Sequence, residues 1–231
     1  MSAEQVTIRI NETDTVSGLL LVPAQPVACY VLAHGAGAGM THRFMSAVAE
    51  GLQARRLATL RYQFPYMEHG SRRPDRPALA HAAVRAAVAA ASSLTPALPL
   101  IAGGKSFGAR MTSQAHAEKP LPNVHGLAFL GFPLHPAGKP SDDRAAHLSE
   151  VRIPMLFLQG TRDALAAPQI LGTVLNRLSP LVTSHLIDQA DHSFHVPMRS
   201  GRTDKQVLDD LLDTLVAWTM TICGPRPRPD C

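Results

Sequence analysis

Along this chain, short runs rich in Val, Ile and Leu alternate with alanine-rich stretches of helical length. Parallel strands can be joined only by a connection long enough to cross back over the sheet, so the alternation implies strands and crossover helices in a mostly parallel sheet. The apolar runs predict eight strands, at residues 5–10, 17–22, 27–33, 57–62, 98–102, 124–130, 154–159 and 182–187. Apolar residues at helical spacing predict helices over 43–55, 75–93, 107–118, 167–178 and 203–221. No helix separates the first two strands, so an antiparallel hairpin is expected at one edge. The fold class is α/β.

The length of 231 residues, with 45% hydrophobic and 17% charged residues, suits one domain with a substantial core. Residues 1–223 are expected to form that domain, and the proline-rich "GPRPRPDC" of 224–231 a tail. Cys29, Cys223 and Cys231 are widely spaced, which indicates neither a disulfide framework nor a thiolate metal site; Cys29 reads as core. "MSAEQVTIRI" has no basic segment before an apolar stretch, and no apolar run reaches the ~18 residues a membrane helix needs. A cytoplasmic protein without a membrane partner is expected. The net charge of +4 is spread along the chain rather than gathered in a stripe, so no nucleic-acid partner is expected.

Two chemistries compete for "IAGGKSFGAR", Ile101 to Arg110. A phosphate-binding P-loop, G-x-x-x-x-G-K-[ST], would need glycine where Pro99 stands, and strand-like Leu100 and Ile101 run almost into the glycines. The alternative is a nucleophile elbow, G-x-S-x-G, with Gly104, Ser106 and Gly108. Its context fits, since a predicted strand enters and a predicted helix leaves. Small residues two before and two after the serine let strand and helix approach closely, and the helix start directs backbone N–H groups toward a developing oxyanion.

A serine hydroxyl needs a base, and the base an orienting group. "LFLQGTRDAL" puts Asp163 just after the seventh predicted strand, and "IDQADHSFHV" puts His192 just after the eighth. Both fall at the edge where strand C-termini gather, in the chain order Ser, acid, His. Asp163 has a rival reading as a helix N-cap. Asp188 and Asp191 are too close in sequence to His192 to sit comfortably behind its ring, and His195 is the local alternative base. "DHSFH" could also be a metal pair, but no third ligand accompanies it, so no metal is expected. After the third strand, "VLAHGAGAGM" offers the N–H of Ala36 or Gly37 as an oxyanion donor alongside that of Phe107. Read as a dinucleotide loop, the same stretch has Met40 where a small residue is required, and the next strand ends without an acid for a ribose.

With these residues assembled, the chain resembles the α/β-hydrolase fold. More narrowly, it is similar to the small dienelactone-hydrolase-like proteins, and to their branch of testis-expressed and chromatin-complex-associated hydrolase-like domains. "HGAGAGM", "RYQFPYME", "RRPDRP", "GGKSFGAR", "FLGFPLHPAGKP", "FLQGTRDAL" and "ADHSF" carry the resemblance over nearly the whole chain. It implies a mostly parallel eight-stranded sheet, Ser106 as nucleophile, Asp163 as orienting acid, His192 as base, and Ala36 and Phe107 as oxyanion donors. Dienelactone hydrolases use a cysteine nucleophile, so with Ser106 in that place the namesake substrate does not follow.

The expected function is a serine hydrolase acting on a carboxylic ester, thioester or related acyl bond of a small-molecule substrate, with no cofactor. The competing classes are a non-catalytic binding or scaffold protein on the same fold, and an acyltransferase using the same triad. The segment between the sixth and seventh strands is too short for a large cap domain. "GFPLHPAGKPSDDR" and "FPYMEHG" are therefore expected either to wall an open site or to be proline-stiffened connections. In the first case Gly37, Phe64, Tyr66, Met67, Phe132 and His135 line the site, while Lys139, Arg72 and Arg73 attract an anionic substrate.

Overall fold

A computed structural model describes residues 2–224. Eight strands run in chain order as β1 (Glu4–Arg9), β2 (Thr15–Leu21), β3 (Ala28–Ala33), β4 (Leu57–Tyr62), β5 (Leu100–Lys105), β6 (Val124–Leu130), β7 (Met155–Gly160) and β8 (Val182–Ile187). The helices are α1 (Arg43–Ala54), α2 (Pro65–Glu68), α3 (Pro77–Leu94), α4 (Phe107–Glu118), α5 (Pro168–Leu178) and α6 (Asp204–Cys223). The expected strands and long helices are all present. The tail from 225 onward lies outside the described residues.

The sheet order is β1-β2-β4-β3-β5-β6-β7-β8. β1 and β2 form the expected antiparallel hairpin, β2 runs antiparallel to β4, and the remaining neighbours are parallel. β3 sits between β4 and β5, so the connection through α1 goes one way and that through α3 returns over β3. Right-handed crossovers then put α1 and α3 on opposite faces. One core accordingly packs α3, α4 and α5 on the sheet, with Ala80, Ala83, Ala87 and Ala91 of α3 against it; the other packs α1 and α6. Covered on both faces, β3, β4 and β7 are buried throughout, whereas the edge strand β8 is half open. Cys29 lies in this core with no exposure, as expected.

Three local features depart from expectation. β5 continues past the predicted end at 102 to Lys105, because glycines let it pair with β3 and β6 there. "FPYMEHG" contains α2, a single turn with Pro65 at its start, too short to show periodicity. Residues 131–154 hold a 3-10 helix, Asp143–Glu150, and no separate cap domain. Among the described residues, no helix is long and apolar enough to cross a membrane.

Candidate active site

The order reversal at β3 opens a crevice at the carboxyl ends of β3 and β5, where ligands bind in open α/β sheets. Ser106 stands there, between β5 and α4, with φ 52° and ψ −111°. This backbone conformation is strained for a residue with a Cβ. The turn exists because its flanks are glycine. A Cβ on Gly104 would lie 2.2 Å from the Ala33 carbonyl oxygen, and one on Gly108 would lie 2.6 Å from those of Ala33 and His34. No larger residue lets the strand and helix close this tightly around the serine.

Three side chains from three loops meet at this edge. His192 Nε2 is 2.8 Å from Ser106 Oγ, and His192 Nδ1 is 2.6 Å from Asp163 Oδ2. A carboxylate only accepts, so Nδ1 carries the proton and Nε2 is left to accept from the serine hydroxyl. The Asp163 side chain has no exposure, and that of His192 keeps 23%. Asp163 is held by further donors: the Leu165 N–H reaches Oδ1 at 2.8 Å, and the Gln159 side-chain amide reaches Oδ2 at 2.5 Å. It does not cap a helix, since α5 starts only at Pro168 with Ala167 as its cap.

The rival residues have other partners. Asp191 caps its own turn, accepting from the N–H groups of Ser193 and His195, while Asp188 accepts from the Thr161 hydroxyl. His195 pairs with Asp204 at 2.8 Å on the surface, and no group of three potential metal ligands occurs among the described residues. A second Ser–His contact, Ser113 to His147 at 2.7 Å, involves a serine with no exposure.

The loop after β3 lies alongside: a Cβ on Gly35 would be 3.7 Å from that of Ser106. His34 braces it. Its Nε2 accepts the Phe64 N–H at 3.0 Å, so Nδ1 donates to the Gly35 carbonyl at 2.8 Å. Burial pushes the His34 imidazole down to about 4, keeping it neutral as both contacts require. Of the two candidate donors in this loop, the Gly37 N–H already donates to the Tyr66 hydroxyl at 3.1 Å. The N–H groups of Ala36 and Phe107 have no acceptor among the described residues, whereas that of Ser106 donates to the Leu130 carbonyl.

The expected pocket residues divide. Half-buried Met67 stands beside the glycine loop, its methyl 3.3 Å from where a Cβ on Gly39 would fall, and Tyr66, itself buried, reaches that loop only through its hydroxyl. Lys139 is exposed. Phe64, Phe132 and His135 are corrections, because all three are buried beneath the surface rather than lining it. Phe64 packs edge-on against Tyr62 and Phe107, and Phe132 packs among Phe129, Phe157 and His147. His135 Nε2 accepts the Ala167 N–H and its Nδ1 donates to the Pro136 carbonyl, a clamp between loops. Sequence reasoning missed Gln159 and His34; in the sequence both are polar residues in or just beyond strands that are otherwise apolar, which is the signal for a buried hydrogen-bonding role.

Solved structures share this architecture at low identity. Dienelactone hydrolase from Anabaena variabilis superposes with a TM-score of 0.76 at 21% identity, over 96% of this chain and 99% of that one. An α/β serine hydrolase homologue from Coxiella burnetii gives 0.75 at 19%, over 93% and 98%. An α/β serine hydrolase without a lid from Xanthomonas campestris gives 0.73 at 19%, over 98% of each. Residues 26–220 match the family described as the alpha/beta hydrolase domain, and the chain belongs to that family.

Proposed function

We propose that the protein is a serine hydrolase that cleaves a carboxylic ester, thioester or related acyl bond through an acyl-enzyme. The observation that carries this reading is the hydrogen-bonded chain from Ser106 through His192 to buried Asp163, at 2.8 and 2.6 Å. In that chain His192 takes the Ser106 proton as Oγ attacks the acyl carbon, and Asp163 stabilises the imidazolium. The carbonyl oxygen becomes an oxyanion held by the N–H groups of Ala36 and Phe107, each such donor being worth about 3–4 kcal/mol in the transition state. His192 then protonates the leaving alcohol or thiol, and water, deprotonated by the same ring, releases the acid. Every proton moves between Ser106, His192, substrate and water, so the reaction needs no cofactor. The α/β serine hydrolases among the structural neighbours support the reading at the level of fold.

Fluorophosphonate labelling of the wild-type protein and of Ser106→Ala tests it, with the adduct located by mass spectrometry. An adduct on Ser106 that is absent from the folded variant is the expected result. A folded wild-type protein that takes no label, and hydrolyses none of a panel of acyl esters and thioesters, would overturn the reading and favour a binding role.

A further inference from the structure

The lysine of "GKSFG" has no part in the triad, yet the fold places it under the base. β5 ends at Lys105, one residue before Ser106, and its Nζ donates to the backbone carbonyl of His192 at 2.6 Å, 87 residues away in sequence. The ammonium also lies 5.3 Å from the centre of the Phe194 ring, on the same loop as His192. Gly131 makes room for both groups: a Cβ there would come 2.9 Å from Lys105 Nζ and 3.5 Å from His192 Cε1 and Nδ1.

We propose that Lys105 is a positioning residue for His192, its ammonium fastening the loop that carries the imidazole to the strand that carries Ser106. The inference rests on the serine-hydrolase reading for its consequence in catalysis, but the fastening itself does not.

The residue type fits this task. An apolar side chain at the end of β5 would leave the His192 carbonyl without this donor, and a charged donor makes a stronger bond than a neutral one in this part-buried setting. The charges that face it come from two loops, Asp163 after β7 and Asp191 after β8, and both favour the ammonium. Asp191 in turn holds the His192 loop closed through the N–H groups of Ser193 and His195, so the cation and the cap act on one segment. Burial opposes the charge more strongly than those carboxylates favour it and pulls Lys105 down to about 8, within reach of an ordinary pH profile. Below that pH the amine is charged and the fastening is complete; above it the amine is neutral and donates more weakly.

Lys105→Met keeps the stem and removes the donor and charge. Hydrogen exchange in the variant is expected to be faster at the amides of 191–195 and unchanged in β5 and α4. Its melting temperature should change little, because the lost hydrogen bond to the His192 carbonyl is offset by removal of a desolvated charge. With an acyl ester such as p-nitrophenyl acetate, kcat should drop about 10- to 100-fold at neutral pH while KM stays nearly constant, the signature of a displaced catalytic group. The wild-type rate should decline through about pH 8, and that limb should be missing from the variant. Exchange at 191–195 equal to wild type would overturn the proposal, whatever happens to the rate. So would kcat within about twofold of wild type with the same alkaline limb. Absence of a Ser106 adduct and of ester hydrolysis in the wild-type protein would instead sink the serine-hydrolase reading, and loop exchange in Lys105→Met would still decide whether Lys105 holds the loop.

Discussion

Gln159 and Asp163 form a buried pair in which the amide has only one workable orientation. The Phe132 N–H donates to Gln159 Oε1 at 2.8 Å, which turns the Gln159 NH₂ onto Asp163 Oδ2 at 2.5 Å. That oxygen also receives His192 Nδ1. The carboxylate is thus fixed from behind by a strand residue and presents a single acceptor edge to the ring.

Asp163→Asn should therefore do more than remove a charge. Whichever way the new amide turns, an NH₂ faces either His192 Nδ1, the Gln159 amide or the Leu165 N–H, all of which now donate. With the NH₂ toward the ring, His192 loses the tautomer that leaves Nε2 free to accept; with it toward Leu165, that N–H loses its acceptor and the side chain its hold. In either case kcat for an acyl ester should fall about 10⁴-fold with little change in KM. A steady-state comparison of the two proteins checks this. A loss below about tenfold would mean that Asp163 does not orient the base.

Ser106→Ala and Ser106→Gly should both lower kcat by on the order of 10⁵ to 10⁶. Their stabilities should differ, because alanine keeps a Cβ at φ 52° and glycine does not. Glycine should be the more stable by about 1–2 kcal/mol, against the usual preference for alanine. Urea unfolding of the pair reads this difference, and equal midpoints would mean that the elbow stores no strain.

At Gly104 the elbow tolerates nothing larger. A Cβ would sit 2.2 Å from the Ala33 carbonyl oxygen, and β3 cannot retreat without breaking its ladders to β4 and β5. Gly104→Ala should cost more than about 4 kcal/mol or prevent folding. Soluble yield and circular dichroism would show it. A well-folded variant with native stability would contradict the close approach.

Acid should destabilise the fold through two desolvated imidazoles, buried His34 and half-buried His147. Burial lowers both His34 and His147 from 6.5 to about 4, so in the folded protein each stays neutral while the unfolded chain takes up a proton. Stability from these rings is full above pH 6.5 and is lost as pH falls from there toward about 4. His34, which has no exposure, contributes a slope of about 1.4 kcal/mol per pH unit within that window. Urea midpoints at pH 7.5 and pH 5 should differ more for the wild type than for His147→Gln, which has one proton fewer to bind. Equal differences would show that His147 does not titrate with unfolding.

The sequence by itself determined the elements and their order. Apolar runs and helical spacing are local properties, so eight strands and five long helices could be read within a few residues of their positions. The elbow was equally legible, since its glycines and serine are contiguous. Asp163 and His192 could be picked out because each follows a predicted strand, and strand C-termini share one edge in a parallel sheet. Tertiary structure alone decided what each remaining side chain does. Phe64, Phe132 and His135 lie in loops beside the site, and loop position does not reveal whether a side chain turns to solvent or into the core. Lys105 pairs with a residue 87 positions away and Tyr66 with one 29 positions away, contacts that exist only once the sheet is assembled. The lysine that as local sequence belonged to a failed phosphate loop becomes, in the fold, a donor to the segment that holds His192. What a buried polar group does depends on the partners that folding brings to it, and those are not encoded within any short stretch of chain.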